Sequence, residues 1–318
     1  MEARDSIAEE VKLDMSSVMD VLIILTGDYD AIPGQIREKE EPFMGNLDLD
    51  GAVAFERIAD ELSDGVFDAC GFRGFGYGTP VRQFGQLVSL VRRNPPEPQH
   101  FRWDEDGRIG RVLRVSRLVH PFPVGLRYSA RIWFSADGTV QSVVPGPGAD
   151  GRYAMGFCVK GQRWYLTEND VLRVKRTLAM YDEGALPERV RRALYRFDLA
   201  CYEYHLDLGW LALSTALEAL IHTDPHRSTK QFSLRAAALA AEIGLTQWTE
   251  DRLRDMYHHY RCAVAHGQDI RKAEPDKAAD YVEFEELVRQ ILLRCVEDKT
   301  FCQHFQSDST VRAKWPVP

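Results

Sequence analysis

The chain of 318 residues carries 40 Lys and Arg against 48 Asp and Glu, a formal net charge of −8. That length exceeds one ordinary domain and points to two, while the acidic sum means that any polyanion must be met locally rather than by bulk charge. Six scattered cysteines without C-x-x-C spacing exclude a disulfide framework, and no run of roughly 18 apolar residues offers a membrane span.

The charge is unevenly spread, at −13 over residues 1–70, +9 over 71–200 and −4 over 201–318. An arginine-rich middle can meet a polyanion or pair with the acidic first segment. Met1 to Glu10 is acidic and polar rather than a basic start to an apolar run, so the expectation is a soluble, cytoplasmic chain with no membrane contact.

In chain order, residues 17–25 form an apolar run stopped at Thr26-Gly27-Asp28, a strand or a short buried helix. Phe55 to Leu62 has helical spacing. The run from Cys70 to Thr79 is rich in glycine and aromatics but lacks GxGxxG spacing, so it reads as a turning loop. From Ile109 onward short alternating runs dominate, at 111–115, 128–134, 139–144 and 154–159. Asp106-Gly107, Asp137-Gly138 and Pro145-Gly146-Pro147-Gly148 fall between them as turns, which predicts an antiparallel meander. Arg111, Arg114, Arg117, Arg127 and Arg131 would then line one solvent face, either tracking a phosphate backbone or simply solvated. Arg111, Arg114, Arg127 and Arg131 are the RNA-contact candidates among them.

After Tyr165 the pattern turns helical, over Asp170 to Met180 and again from Pro187, with Glu188 favoured in the first turn. Leu194, Phe197, Leu199, Ala200, Tyr204 and Leu208 form the expected buried stripe of a long helix. The fold expected is an α+β N-terminal domain with antiparallel strands over residues 1–185, an all-α bundle over 186–306, and a frayed tail over 307–318.

The chemistry concentrates in Tyr257-His258-His259-Tyr260-Arg261-Cys262-Ala263-Val264-Ala265-His266-Gly267. An arginine supplies a permanent charge and a donor fork shaped for phosphate oxygens, and a histidine can exchange a proton near neutrality. Upstream, the apolar helix Gly209 to His222 contains one acid, Glu218, and Phe232 to Ile243 contains Arg235. Unpaired charges there would be costly, so Glu218 and Arg235 are expected to pair with each other or to contact Arg261.

This order, with its acid, its arginine and its Arg-x4-His-Gly ending, resembles the HEPN superfamily of helical-bundle proteins, particularly the branch found in prokaryotic toxins and anti-phage defence. The resemblance covers about residues 190 to 305. It implies a metal-independent endoribonuclease with Arg261 and His266 as catalytic residues and no cofactor. Glu218, Arg235, Tyr260 and Cys262 would be supporting, structural positions. It also implies a homodimer setting two motifs face to face, acting on RNA under an antitoxin or trigger protein. Family members often carry Asn, Asp or His directly after the arginine. Cys262 stands there instead, leaving His258, His259 or Tyr260 to supply a polar group.

The chemistry agrees with that implication. RNA is cut by its own 2′-hydroxyl once a base removes the proton and a cation stabilises charge on phosphorus oxygens, giving a 2′,3′-cyclic phosphate and a 5′-hydroxyl. Five residues at about 100° each set Arg261 and His266 some 140° apart on an ideal helix. A long arginine side chain, a loosened final turn or a second copy would relieve that. His266 as a simple helix cap, a non-catalytic module binding RNA, nucleotide or protein, and a purely structural dimerisation bundle also fit. His222 and His226 lack a third ligand and do not make a zinc site. Glu283, Glu285 and Glu286 read as the solvated side of the last helix.

Overall fold

The computed structural model describes residues 18–24, 88–93, 108–120, 129–145 and 166–317, together with parts of 43–69; within 166–317, residues 204, 225, 227 and 268–276 are excepted. The glycine run at 70–79, the strand expected at 154–159 and Arg127 lie outside the described residues.

The apolar run near the start is a strand, β1 (Val18–Ile24). It is flanked by β4 (Val88–Arg93) and β5 (Ser129–Phe134), both antiparallel, with Val21 opposite Val91 and Asp20 opposite Arg131. With β2 (Leu47–Asp48), β3 (Val53–Glu56) and β6 (Val140–Pro145), these make one sheet in the order β2-β3-β4-β1-β5-β6. Asp137-Gly138 closes the β5–β6 hairpin as expected, Gly138 taking a φ of 83° that an L side chain resists. The helical spacing from Phe55 is corrected at its start, because Val53–Glu56 is a strand with Phe55 fully buried; residues 57–61 lie outside the described residues, and Leu62 is helical.

The strand expected at 111–115 is also corrected. Residues 108–119 form helix α1 (Arg108–Val119), since Val112, Val115, Leu118 and Val119 repeat at helical spacing and are buried. A five-residue window shows only the alternation.

The C-terminal part is helical. Its elements are α2 (Glu168–Met180), α3 (Glu188–Tyr202), α4 (Leu206–Ile221), α5 (Ser228–Glu242), α6 (Glu250–Met256), a π-helical segment (Tyr257–Cys262), α7 (Ala263–Ala265), α8 (Lys277–Glu297), α9 (Lys299–Gln303) and α10 (Asp308–Lys314). Thr167 and Asp170 form a capping box that starts α2, and Gly244, at φ 85°, ends α5. The stripe predicted across 194–208 breaks, because α3 ends at Tyr202 and α4 restarts at Leu206. Leu194, Phe197 and Ala200 are buried, whereas Leu199 and Leu208 are exposed.

Trp210 of α4 is the centre of the bundle, stacked between Tyr260 at 4.2 Å and Phe284 at 5.1 Å. Gly209 lets α4 approach α8, since a Cβ there would lie 2.7 Å from the Tyr281 hydroxyl. Hydrophobic contact runs unbroken from Phe43, Val53 and Phe55 through α1 into the bundle. The frayed tail is corrected as well. Residues 308–314 form α10, opened by a Ser307 capping box, and Trp315 is 4% exposed against Phe301 and Phe305. A buried indole of that size holds the segment down.

Cys201 and Cys262 are half-buried and Cys295 and Cys302 buried, all as free thiols. Among the described residues, no helix is long and apolar enough to cross a membrane.

Candidate functional site

The motif lies on the helix that begins at Thr249, whose hydroxyl caps the Arg252 amide. Leu253, Met256, Tyr257 and Tyr260 bury one face, as amphipathic spacing demands. Between Tyr257 and Cys262 the backbone winds as a π-helix, accommodating one residue more than an α turn holds. That extra residue turns everything downstream, including His266, by about 100° relative to an unbroken helix. Regular bonding has returned at the His266 amide, which donates to the Cys262 carbonyl at 3.0 Å. The chain then leaves the helix at Gly267, with φ 71°.

Glu218, on the last turn of α4, faces this segment. Its Oε1 accepts from Arg261 Nε at 2.9 Å and from the Tyr257 hydroxyl at 2.7 Å. The guanidinium also lies over the Tyr257 ring, 5.4 Å from its centroid. Burial opposes the arginine's charge, but Glu218 outweighs it and the Arg261 pKa is raised. The Tyr257 hydroxyl is pushed up as well, first by burial and then by Glu218, so it stays protonated as a donor. Arg261 remains 30% exposed while Glu218 is 12% exposed. Only Nε is taken by Glu218, and the two Nη groups carry no hydrogen bond among the described residues.

His266 is solvent-exposed at the end of the same helix, and no hydrogen bond joins it to Arg261 within one chain. The loosened turn, Tyr257–Cys262, contains Arg261 rather than lying directly before Gly267. His258 and His259 are exposed, Cys262 is half-buried, and Tyr260 is a packing residue whose hydroxyl donates to Asp280 at 2.8 Å. His222 caps α4 one turn beyond Glu218 and binds the Ser228 carbonyl through Nε2 at 3.1 Å. Burial lowers its pKa, so it stands neutral at pH 7, with Nε2–H as the donor.

Arg235 does not reach Glu218 or Arg261. It is buried, donating to the carbonyls of Ile221 and Trp315, to Thr223 Oγ1 and to Gln231 Oε1. Arg189 reaches the Ala219 and Leu220 carbonyls, and Arg312 reaches that of Thr223. Three guanidiniums therefore gather on the carbonyl end of α4, where the helix leaves acceptors unsatisfied and its dipole is negative. This clamp fixes the turn that carries Glu218. Its function was hidden in the sequence, because Arg189 and Arg312 lie 123 residues apart in the chain.

The solvent-facing arginines expected in the N-terminal half are corrected. Arg131 is 1% exposed in the sheet. Arg114 donates to Asp198 at 2.5 Å, to Glu183 at 3.0 Å and to the Tyr181 hydroxyl at 2.8 Å. Arg117 is buried 3.6 Å from Asp198, and Arg111 is half-buried on α1. Arg114 and Arg117 thus join α1 to the bundle through Asp198 instead of lining an open face. Glu285 is likewise not solvated: it is buried 3.6 Å from Arg289, which donates to the Leu118 and Val119 carbonyls at the end of α1. Among the described residues, no group of three or more His, Cys, Asp or Glu could hold a metal ion. Comparison with protein-family models, with curated proteins and with solved structures gives no match to this chain.

Proposed function

We propose that the chain is a metal-independent endoribonuclease of HEPN type, an effector of cytoplasmic defence or toxin systems whose α+β part senses a trigger or restrains the bundle. The observation that carries this reading is the Glu218–Arg261 pair, an arginine anchored by one nitrogen with its other edge open, beside an exposed His266 on the same helix. Arg261 stabilises the charge that builds on the scissile phosphate, and His266 takes the 2′-hydroxyl proton or delivers one to the departing 5′-oxygen. No hydrogen bond joins the two within one chain, so the working centre is formed by two copies, each facing its motif to the other across a two-fold axis.

The test is incubation of the purified protein with mixed RNA in EDTA, beside Arg261→Ala and His266→Ala. Cleavage that resists chelation, leaves 2′,3′-cyclic phosphate ends and disappears in both folded variants is the expected result. Binding without cutting would instead make the pair a ligand contact, the reading that the apolar Cys262 neighbour favours.

A further inference from the structure

A groove of about 730 Å³ runs between α3 and α4 and opens beside Glu218. Arg191, Arg192, Tyr195 and Arg196 line it from α3, and Thr215 and Glu218 from α4. We infer that this groove is the path of a single-stranded RNA segment leading to Arg261, an inference that rests on the nuclease reading for its RNA end.

The charge balance favours a polyanion. Arg191 and Arg192 share one carboxylate, Glu188, at 2.6 and 2.8 Å, and among the described residues Arg196 has no carboxylate partner. Three guanidiniums against one acid leave an excess of two. The remaining acids at the groove are neutralised from outside it, Glu183 by Arg114 at 3.0 Å and Glu218 by Arg261 at 2.9 Å. Arg192 and Arg196 stand one helical turn apart, a rise of about 6 Å, close to the spacing of successive phosphates in an extended strand.

The aromatic ring selects the kind of strand. Tyr195 is 57% exposed on α3, with the Arg196 guanidinium 5.9 Å from its ring centroid. A ring presented beside cations is the arrangement that stacks an unpaired base while its phosphates are held, and a duplex would offer it no free base face. The groove thus orders the strand by its backbone and one stacked base, without reading sequence through base edges.

The test is fluorescence anisotropy with a labelled oligouridine of about 12 nucleotides, within the usual span of single-strand sites. Full-length His266→Ala protein serves as the cleavage-silent parent, compared with the same protein carrying Arg192→Glu with Arg196→Glu, or Tyr195→Ala. These are surface positions, and matched thermal melts check the fold. The charge reversal is expected to weaken binding more than tenfold and to reduce the slope of log affinity on log salt by about 1.4, for two phosphates lost. Tyr195→Ala is expected to weaken binding on the order of tenfold with the salt slope unchanged. Variants that bind as the parent does overturn the groove, as does tighter binding of a blunt RNA duplex. So does a dimer that becomes a monomer by light scattering while RNA affinity stays the same, since the face would then be a subunit contact. The two readings separate cleanly. Cutting that persists with groove variants of unaltered affinity removes the groove alone, while groove-dependent binding by a wild-type chain that cuts nothing removes the nuclease alone.

Discussion

Asp198 and Glu218 are both acids set in bundle helices, and both hold arginines, yet they serve opposite ends. At Asp198 the guanidiniums of Arg114 and Arg117 arrive from α1, and the side chains are 19% and 3% exposed. Arg114 also meets Tyr181 and Glu183, so its donor edge is used internally. At Glu218 the single arginine is held at Nε and keeps its outer edge open. Arginine content therefore says little about ligand binding. What decides is whether the protein itself satisfies the donors, and the α1 cluster is a joint where the Glu218 cluster is the proposed site.

The comparison can be broken at the joint first. Asp198→Ala removes the carboxylate that two largely buried guanidiniums share and is expected to cost about 4 kcal/mol of unfolding free energy, measured by urea titration, with RNA cutting per folded molecule unchanged. If cutting falls while stability holds, the joint and the site are not separate. Arg235→Met removes the buried one of the three guanidiniums on the carbonyl end of α4, leaves the Ile221 and Trp315 carbonyls without that donor, and should cost about 3 kcal/mol. That variant should also lower cutting, because the turn carrying Glu218 loosens; wild-type stability would show the clamp to be ornamental.

A third prediction concerns pH. Burial, opposed by Arg289, pushes the Glu285 carboxyl up from its ordinary 4.5 to about 7. The folded state then holds this proton more tightly than the unfolded chain does. Its contribution is fully present below about pH 4.5 and is lost as pH rises toward 7, by at most about 3 kcal/mol. Glu285→Gln should match the wild type at pH 5 and exceed it at pH 8 in urea denaturation. Equal stabilities at both pH values would remove the buried, protonated carboxyl. The smallest effect is expected at Glu218→Gln, which keeps the shape but weakens the hold on Arg261. Cutting should fall on the order of tenfold while stability falls by about 1 kcal/mol. A stability loss as large as that of Asp198→Ala would place Glu218 with the joints.

Much of the helical part was legible because its signals are local. The buried faces of α4 and α6 and the Gly267 exit each depend on neighbours within a turn or two. The contact between Glu218 and Arg261 could also be expected, since a charge in an apolar helix needs a partner. Arg235 obeyed the same rule differently, because backbone carbonyls satisfied it in place of a carboxylate. The reading of α1 failed where Arg114 and Arg117 looked like a polar strand face. Their partner, Asp198, lies more than 80 residues away and lets them be buried. Glu285 misled although its partner Arg289 is one helical turn away, because Arg289 is itself drawn inward to the Leu118 and Val119 carbonyls at the end of α1.

By itself, the sequence determined where chain segments coil, where they stop, and which residue types able to do phosphate chemistry share one helix. Hydrophobic period, capping side chains and glycine conformation act over a few residues, so they are written in order along the chain. The tertiary structure alone decided which arginines are spent inside the protein and which stay open. It also placed the π turn around Arg261 and docked α10 onto the carbonyl end of α4. Those outcomes depend on which charges and acceptors meet across the core, and desolvation makes such meetings decisive while leaving no periodic trace in the sequence.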